Sequence, residues 1–284
     1  MSKFKRGAIP SPRHKLASAM PFKPSLPSTE YPPSWIIVAP QYSMWLNDEI
    51  GDCVSAEECA NVANFTYNKT KNELIIPDNV LNAWVRKYHY ANGADLQDVM
   101  NTMAQDGIVD NTTKCTDGPF TAIDWTNDTH LCAAIYESQS NVKIAIASSQ
   151  LDDTNAGNAN GWMLLDAKQD TKYDHCVGLC GYGTLAELCK VLNVAVPSGQ
   201  STTQLCYLMY TWSTVGIVNR TSLVNITGEA YLRNPSSVET TVQPPPPPTP
   251  TRRVAALLHR ASELYLAEPD KVLAVLNYAE TILK

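Results

Sequence analysis

Two residues of this 284-residue chain stand where a nucleophile and its base could be made. In the segment Trp45-Leu-Asn-Asp-Glu-Ile-Gly-Asp-Cys53-Val-Ser-Ala, a glycine and a potential capping aspartate precede a cysteine at the first turn of a helix. Free backbone N–H groups and the helix dipole favour a thiolate there, although a buried, inert cysteine is the plainer reading of such a residue taken alone. In Tyr173-Asp174-His175-Cys176-Val-Gly-Leu-Cys-Gly181-Tyr-Gly183, a histidine opens an apolar, glycine-containing strand, with small residues leaving room in front of the imidazole. A thiol and an imidazole together can run acyl transfer, the imidazole taking the thiol proton and returning it to the leaving group.

The elements needed to position this pair are legible nearby. Ala56, Ala60 and Ala63 mark one face of a helix that starts near Cys53, and 80–90 and 96–104 read as two more helices. The second half changes character. Val142-Lys-Ile-Ala-Ile-Ala, Cys176 to Tyr182 and Cys206-Tyr-Leu-Met-Tyr-Thr-Trp212 are short β-type runs bounded by Gly, Asn and Ser. Helices followed by strands predict an α+β domain over residues 35–242.

The order and surroundings of these residues resemble the papain-like cysteine peptidases. That family's Gln-Gly-x-Cys-Gly-Ser-Cys-Trp-Ala appears as Asn47-Asp-Glu-Ile-Gly-Asp-Cys53-Val-Ser, and its His-Ala-Val-x-x-x-Gly-Tyr-Gly as His175-Cys-Val-Gly-Leu-Cys-Gly181-Tyr-Gly183. Its Asn-Ser-Trp-Gly falls on Tyr210-Thr211-Trp212-Ser213, and Ala133 to Ile146 is similar to its strand entering the β half. The resemblance covers about residues 35–235. It implies a helical N-terminal half and an antiparallel β half, with Cys53 as nucleophile, His175 as base and then acid, and Asn47 at the place of the oxyanion glutamine. The orienting asparagine falls on Tyr210, which cannot copy an amide acceptor. About twenty extra residues, Leu185 to Gln204, carry leucines 185, 188 and 192 at helical spacing and are expected near the cleft. With 52 residues before Cys53, a full inhibitory propeptide of that family is not expected.

Charge divides the chain further. Residues 1–34 carry a net +5 and seven prolines and read as an extended basic arm, free in solvent, laid across the body or bound to another protein. Residues 35–250 carry −12. A polyproline linker, 243–250, leads to a tail, 251–284, with two amphipathic helical stripes too small to fold alone. The tail is expected to dock on the body, on its own copy or on a protein partner.

The overall net charge of −6 offers no general attraction for nucleic acid or an anionic membrane, and no apolar stretch is long enough to span a bilayer. The start has no signal-like apolar region, so a cytoplasmic protein is expected, with the six Asn-x-Ser/Thr sequons present by chance and most of the eight cysteines free. Neither zinc-type cysteine pairs nor a phosphate-cradling glycine loop occur, so no metal or cofactor is expected. Two functions remain open: thiol-dependent hydrolysis of peptide or isopeptide bonds, or a structural or attachment role, for instance in a virus-like particle, on a peptidase fold that no longer catalyses.

Overall fold

The structure is a computed structural model that describes residues 4–110 and 113–233 and the backbone of 236–239. Chain contacts separate residues 1–110 with 114–239 from 111–113 with 240–284, and only the first unit is described below. The polyproline linker and the helical tail lie outside the described residues.

Seven α-helices are described: α1 (Arg13–Ser18), α2 (Cys53–Thr70), α3 (Asp78–Lys87), α4 (Leu96–Gln105), α5 (Asp128–Ser138), α6 (Leu185–Val191) and α7 (Arg220–Ile226). The strands are β1 (Trp35–Ile36), β2 (Ile108–Asp110), β3 (Thr113–Asp117), β4 (Phe120–Ala122), β5 (Val142–Ile146), β6 (Met163–Leu164), β7 (His175–Thr184), β8 (Leu205–Thr211), β9 (Thr214–Asn219), β10 (Thr227–Arg233) and β11 (Ser236–Glu239). Eight strands form one sheet in the order β4-β10-β5-β7-β8-β9-β6, with β1 also on β7, and all pairs are antiparallel except β6 with β9. A small sheet, β11-β3-β2, stands apart. This is the α+β arrangement expected, helices first and a mainly antiparallel sheet after.

Alternation along β8 shows how the sheet divides the core. Cys206, Leu208 and Tyr210 join the cluster around α2, α3 and α4, whereas Tyr207 and Met209 join the cluster on the other face with Leu131, Ile135 and Leu223. Because both faces of β7 are covered, nine of its ten residues are buried, and it reads as a continuous apolar run rather than an alternating one. Helix α2 lies against β7 through its alanine face, and Gly178 makes room for this: a Cβ there would stand 2.6 Å from the Asn141 amide nitrogen and 2.9 Å from Glu57 Oε1.

Two expectations need correction. The arm is not extended throughout, because Pro12 and Pro21 bracket eight proline-free residues and α1 forms between them, with Pro12 at the N-cap. Nor does the 185–204 insertion stand near His175. Its helix α6 is capped by Thr184 and Glu187 at the far end of β7, roughly 30 Å along a ten-residue strand from the histidine.

Candidate active site

Helix α2 and strand β7 place Cys53 at the strand end that His175 opens, but no hydrogen bond joins the thiol to the imidazole, whose Nε2 meets Thr211 and whose Nδ1 has no partner. Cys53 is the first residue of α2, His175 the first of β7, and the Cys176 amide donates to Cys53 Sγ at 3.4 Å. Asp52 holds the N-cap position, but its carboxyl does not cap a helical N–H. Instead Oδ1 accepts from Asn47 Nδ2 at 3.4 Å while Oδ2 is buried without a partner. Burial raises the Asp52 carboxyl to about 8, against the pull of the Asn47 hydrogen bond.

Asn47 is buried beside this helix start. Its amide donates to Ile50 O and Asp52 Oδ1, both at 3.4 Å, so in this state it serves its own loop and is not directed at the thiol. Trp45 and Leu46, just before it, both lie in the left-handed region, at φ 47° and 66°. Non-glycine residues pay strain for that conformation, and it is found where a loop must hold a fixed shape.

The third member of the site is a residue that the motif alignment passes over. Thr211 Oγ1, not Tyr210, meets His175 Nε2 at 2.7 Å. Tyr210 points to the opposite side of the sheet, where its hydroxyl donates to Ser43 O at 3.2 Å. The cause is the β8–β9 turn. Thr211 pairs with Thr214, leaving a two-residue connection of Trp212 and Ser213 at φ 44° and 62°, the geometry of a tight hairpin normally supplied by Asn and Gly. With neither residue type present, no turn signal marks where the strand ends, and alignment on the tryptophan places the polar partner one residue too early. Trp212 stacks on the imidazole, with centroids 4.4 Å apart and planes at 26°.

The cleft is occupied by the chain's own arm. Phe4 stacks on the outer face of Trp212 at 4.9 Å, and backbone hydrogen bonds follow from Lys5 N to Asn47 O (2.8 Å), Ala8 N to Asp174 O (3.1 Å), Ala94 N to Gly7 O (2.9 Å) and Ile9 N to Ala94 O (3.0 Å). Arg6 reaches Ser148, Asp152 and Asp174. Gly7 crosses Gly51 so closely that a Cβ on it would lie 1.8 Å from the Gly51 carbonyl oxygen. Here the basic arm lies across the acidic body. Nothing in the residue types of 4–9 announced it, since four of the contacts are made by the backbone.

Closure sets the protonation state. Burial pushes the Cys53 thiol up to about 12 despite the Cys176 amide, and burial followed by the neighbouring Arg6 lowers His175 to about 3. At neutral pH the closed site therefore holds a thiol and a neutral imidazole. The His175 Nδ1 atom is buried without a hydrogen-bond partner. All eight cysteines are free, and among the described residues no group of His, Cys, Asp and Glu is placed to hold a metal ion.

The fold is that of the papain-like cysteine proteases. Xylellain, a cysteine protease from Xylella fastidiosa, superposes with a TM-score of 0.53 at 14% identity, over 82% of this chain and 97% of its own. A structure from work on the mite allergens Blo t 1 and Der p 1 gives 0.57 at 11% identity, covering 82% of each chain. The ragweed pollen cysteine protease Amb a 11, in its proform, gives 0.54 at 10% identity, over 79% of this chain and 74% of its own. No protein-family model matches the sequence, and no curated protein matches it.

Proposed function

We propose that this protein is a thiol-dependent peptide hydrolase whose site is held closed by its own N-terminal residues. The observation that carries this reading is the joint placement of Cys53 at a helix start, His175 one residue from the amide that contacts its sulfur, and Thr211 with Trp212 fixing the imidazole. In the tautomer whose Nε2–H donates to Thr211 Oγ1, the lone pair of His175 is on Nδ1, the nitrogen without a partner. Once the arm leaves, water enters, the desolvation that keeps both groups neutral is relieved, and the proton can pass from Sγ to the imidazole. The thiolate then attacks a carbonyl carbon, the Cys53 backbone N–H donates to the developing oxyanion, and the imidazolium returns its proton to the leaving amine. Water, activated by the same imidazole, hydrolyses the thioester.

The test is peptide hydrolysis by the full chain carrying Gly7→Ala, in which the new methyl cannot coexist with the Gly51 carbonyl and the arm is expelled. Cleavage that appears in this variant and vanishes when Cys53→Ala or His175→Ala is added supports the reading. No cleavage of a diverse peptide library by the opened chain rejects it.

A further inference from the structure

The contacts of the arm fall into two kinds. The backbone bonds at Lys5, Ala8 and Ile9 do not read side-chain identity, whereas Arg6 is held through its side chain. Its Nη2 lies 2.7 Å from Asp152 Oδ2, its Nε lies 2.5 Å from Ser148 Oγ and 3.5 Å from Asp174 Oδ2, and its guanidinium carbon is 5.8 Å from the Trp212 ring centroid. Two carboxylates, a hydroxyl acceptor and an aromatic face together suit a guanidinium far better than an ammonium or a neutral group.

The seat is also tied together by the body's own hydrogen bonds. Both the amide and the hydroxyl of Ser148 donate to Asp174 Oδ1, at 3.1 and 2.8 Å. The Ser148 oxygen is thus free to accept from an incoming Nε–H. Ser148 and Asp174 flank the ends of β5 and β7, whose Ile146 and His175 are paired in register, so the seat is fixed to the same strand end as the imidazole. Asp152 follows one turn later, after the short helical turn Ser149–Leu151. Beside the seat, the Gly51 carbonyl leaves no space for a side chain on the next residue along the bound segment.

We propose that Ser148, Asp152 and Asp174 form a subsite for an arginine side chain, and that peptides recognised by the opened cleft carry an arginine followed by glycine, as the arm does at Arg6 and Gly7. This rests on the reading of the cleft as a peptide site and names its substrate class. The net charge of −12 on residues 35–250 favours basic peptides in the same direction.

Binding and turnover can be separated. The full chain carrying Gly7→Ala and Cys53→Ala, with Phe4→Ala and Cys53→Ala as a second opened form, is titrated with fluorescent acetyl-Phe-Lys-Arg-Gly-Ala-Ile-amide and with the analogue in which glutamine replaces arginine. The expected result is at least about tenfold tighter binding of the arginine peptide in either form, the scale of a charge-assisted pair, reduced to about two- to threefold by Asp152→Asn and weakened by salt. Equal affinities, or no binding of either peptide when proteolysis shows the arm to be released, overturn the subsite. Arginine preference in the Cys53→Ala chain, together with no cleavage by the chain that keeps Cys53, would instead reject the hydrolase reading and leave the subsite standing.

Discussion

Helix α2 carries two buried polar clusters one turn apart, and they are built on opposite principles. At its start, Asp52, Cys53 and His175 are buried and nearly all in their neutral forms, with Asp52 Oδ2 and His175 Nδ1 lacking partners. One turn on, Glu57 and Glu58 meet Lys143 and Arg233, all with fully buried side chains, through ion pairs of 2.6 to 2.8 Å. Lys143 also donates to Val54 O at 2.7 Å, and Arg233 to Asn141 O at 3.3 Å. Burial pushes Glu58 up, but Arg233 and Lys143 outweigh it and hold its carboxyl down to about 2, and the two carboxylates raise both bases in turn. Buried charges that are paired lock α2 onto β5 and β10. At the helix start, each of the three groups makes one hydrogen bond or contact and stays neutral, so no ion pair fixes its proton.

The sharpest way to break this contrast is to unpair the charged cluster. Removing one partner leaves an uncompensated buried charge, so Glu58→Ala should cost about 3–5 kcal/mol in urea unfolding. The double change Lys143→Met with Glu58→Met should cost much less than the sum of the two single changes. Additive costs would mean that the charges do not act as a unit.

The closed site should respond to pH where the charged cluster does not. His175 is held at about 3 under the arm, against the ordinary 6.5. The closed form therefore binds fewer protons between those values, so closure is intact above about pH 6.5 and weakens as pH falls. From well above pH 6.5 down to pH 5 the loss is about 2 kcal/mol, or roughly 30-fold in the equilibrium for arm release. The charged group acting on the imidazole is Arg6, itself held by Asp152 and Asp174. Hydrogen exchange at the Lys5, Ala8 and Ile9 amides, corrected for intrinsic rate, should show opening in acid. Protection that is unchanged down to pH 5 would remove the link between arm and imidazole.

A smaller effect separates Thr211 from Tyr210. In the opened chain, Thr211→Val should lower turnover about tenfold and change its pH profile, because the imidazole loses its Nε2 hydrogen-bond partner. Tyr210→Phe should leave turnover unchanged and cost about 1 kcal/mol of stability through the lost bond to Ser43. The reverse pattern would restore the motif alignment over the observed contact.

What could be read from residue order was local. That Cys53 opens a helix and His175 a strand was legible from their neighbours, as were α2, α3, α4 and the runs that became β5, β7 and β8, since hydrophobic period and small-residue placement decide them. Three features were not. Thr211 was hidden by a hairpin turn made without glycine or asparagine. Glu57, Glu58, Lys143 and Arg233 look like solvated charges until a fold brings residues 57 and 233 together, and no periodicity records that pairing. The arm in the cleft is held largely by its backbone, which every sequence shares, and only the opposite charges of arm and body hinted at the contact.

Closure by residues 4–9, rather than the pair itself, would be what keeps Cys53 inert. The direct measurement is the iodoacetamide alkylation rate of Cys53 at pH 6.5 in the unaltered chain and in the chain carrying Gly7→Ala. A buried thiol at about 12 should react negligibly in the first. In the second, a thiol whose pKa falls to 7 or below should react at least about a hundredfold faster, and His175→Ala should abolish most of the gain. Equal, slow alkylation in both chains, with the arm shown to be released, would contradict the account, since the exposed pair would then hold no activated thiolate.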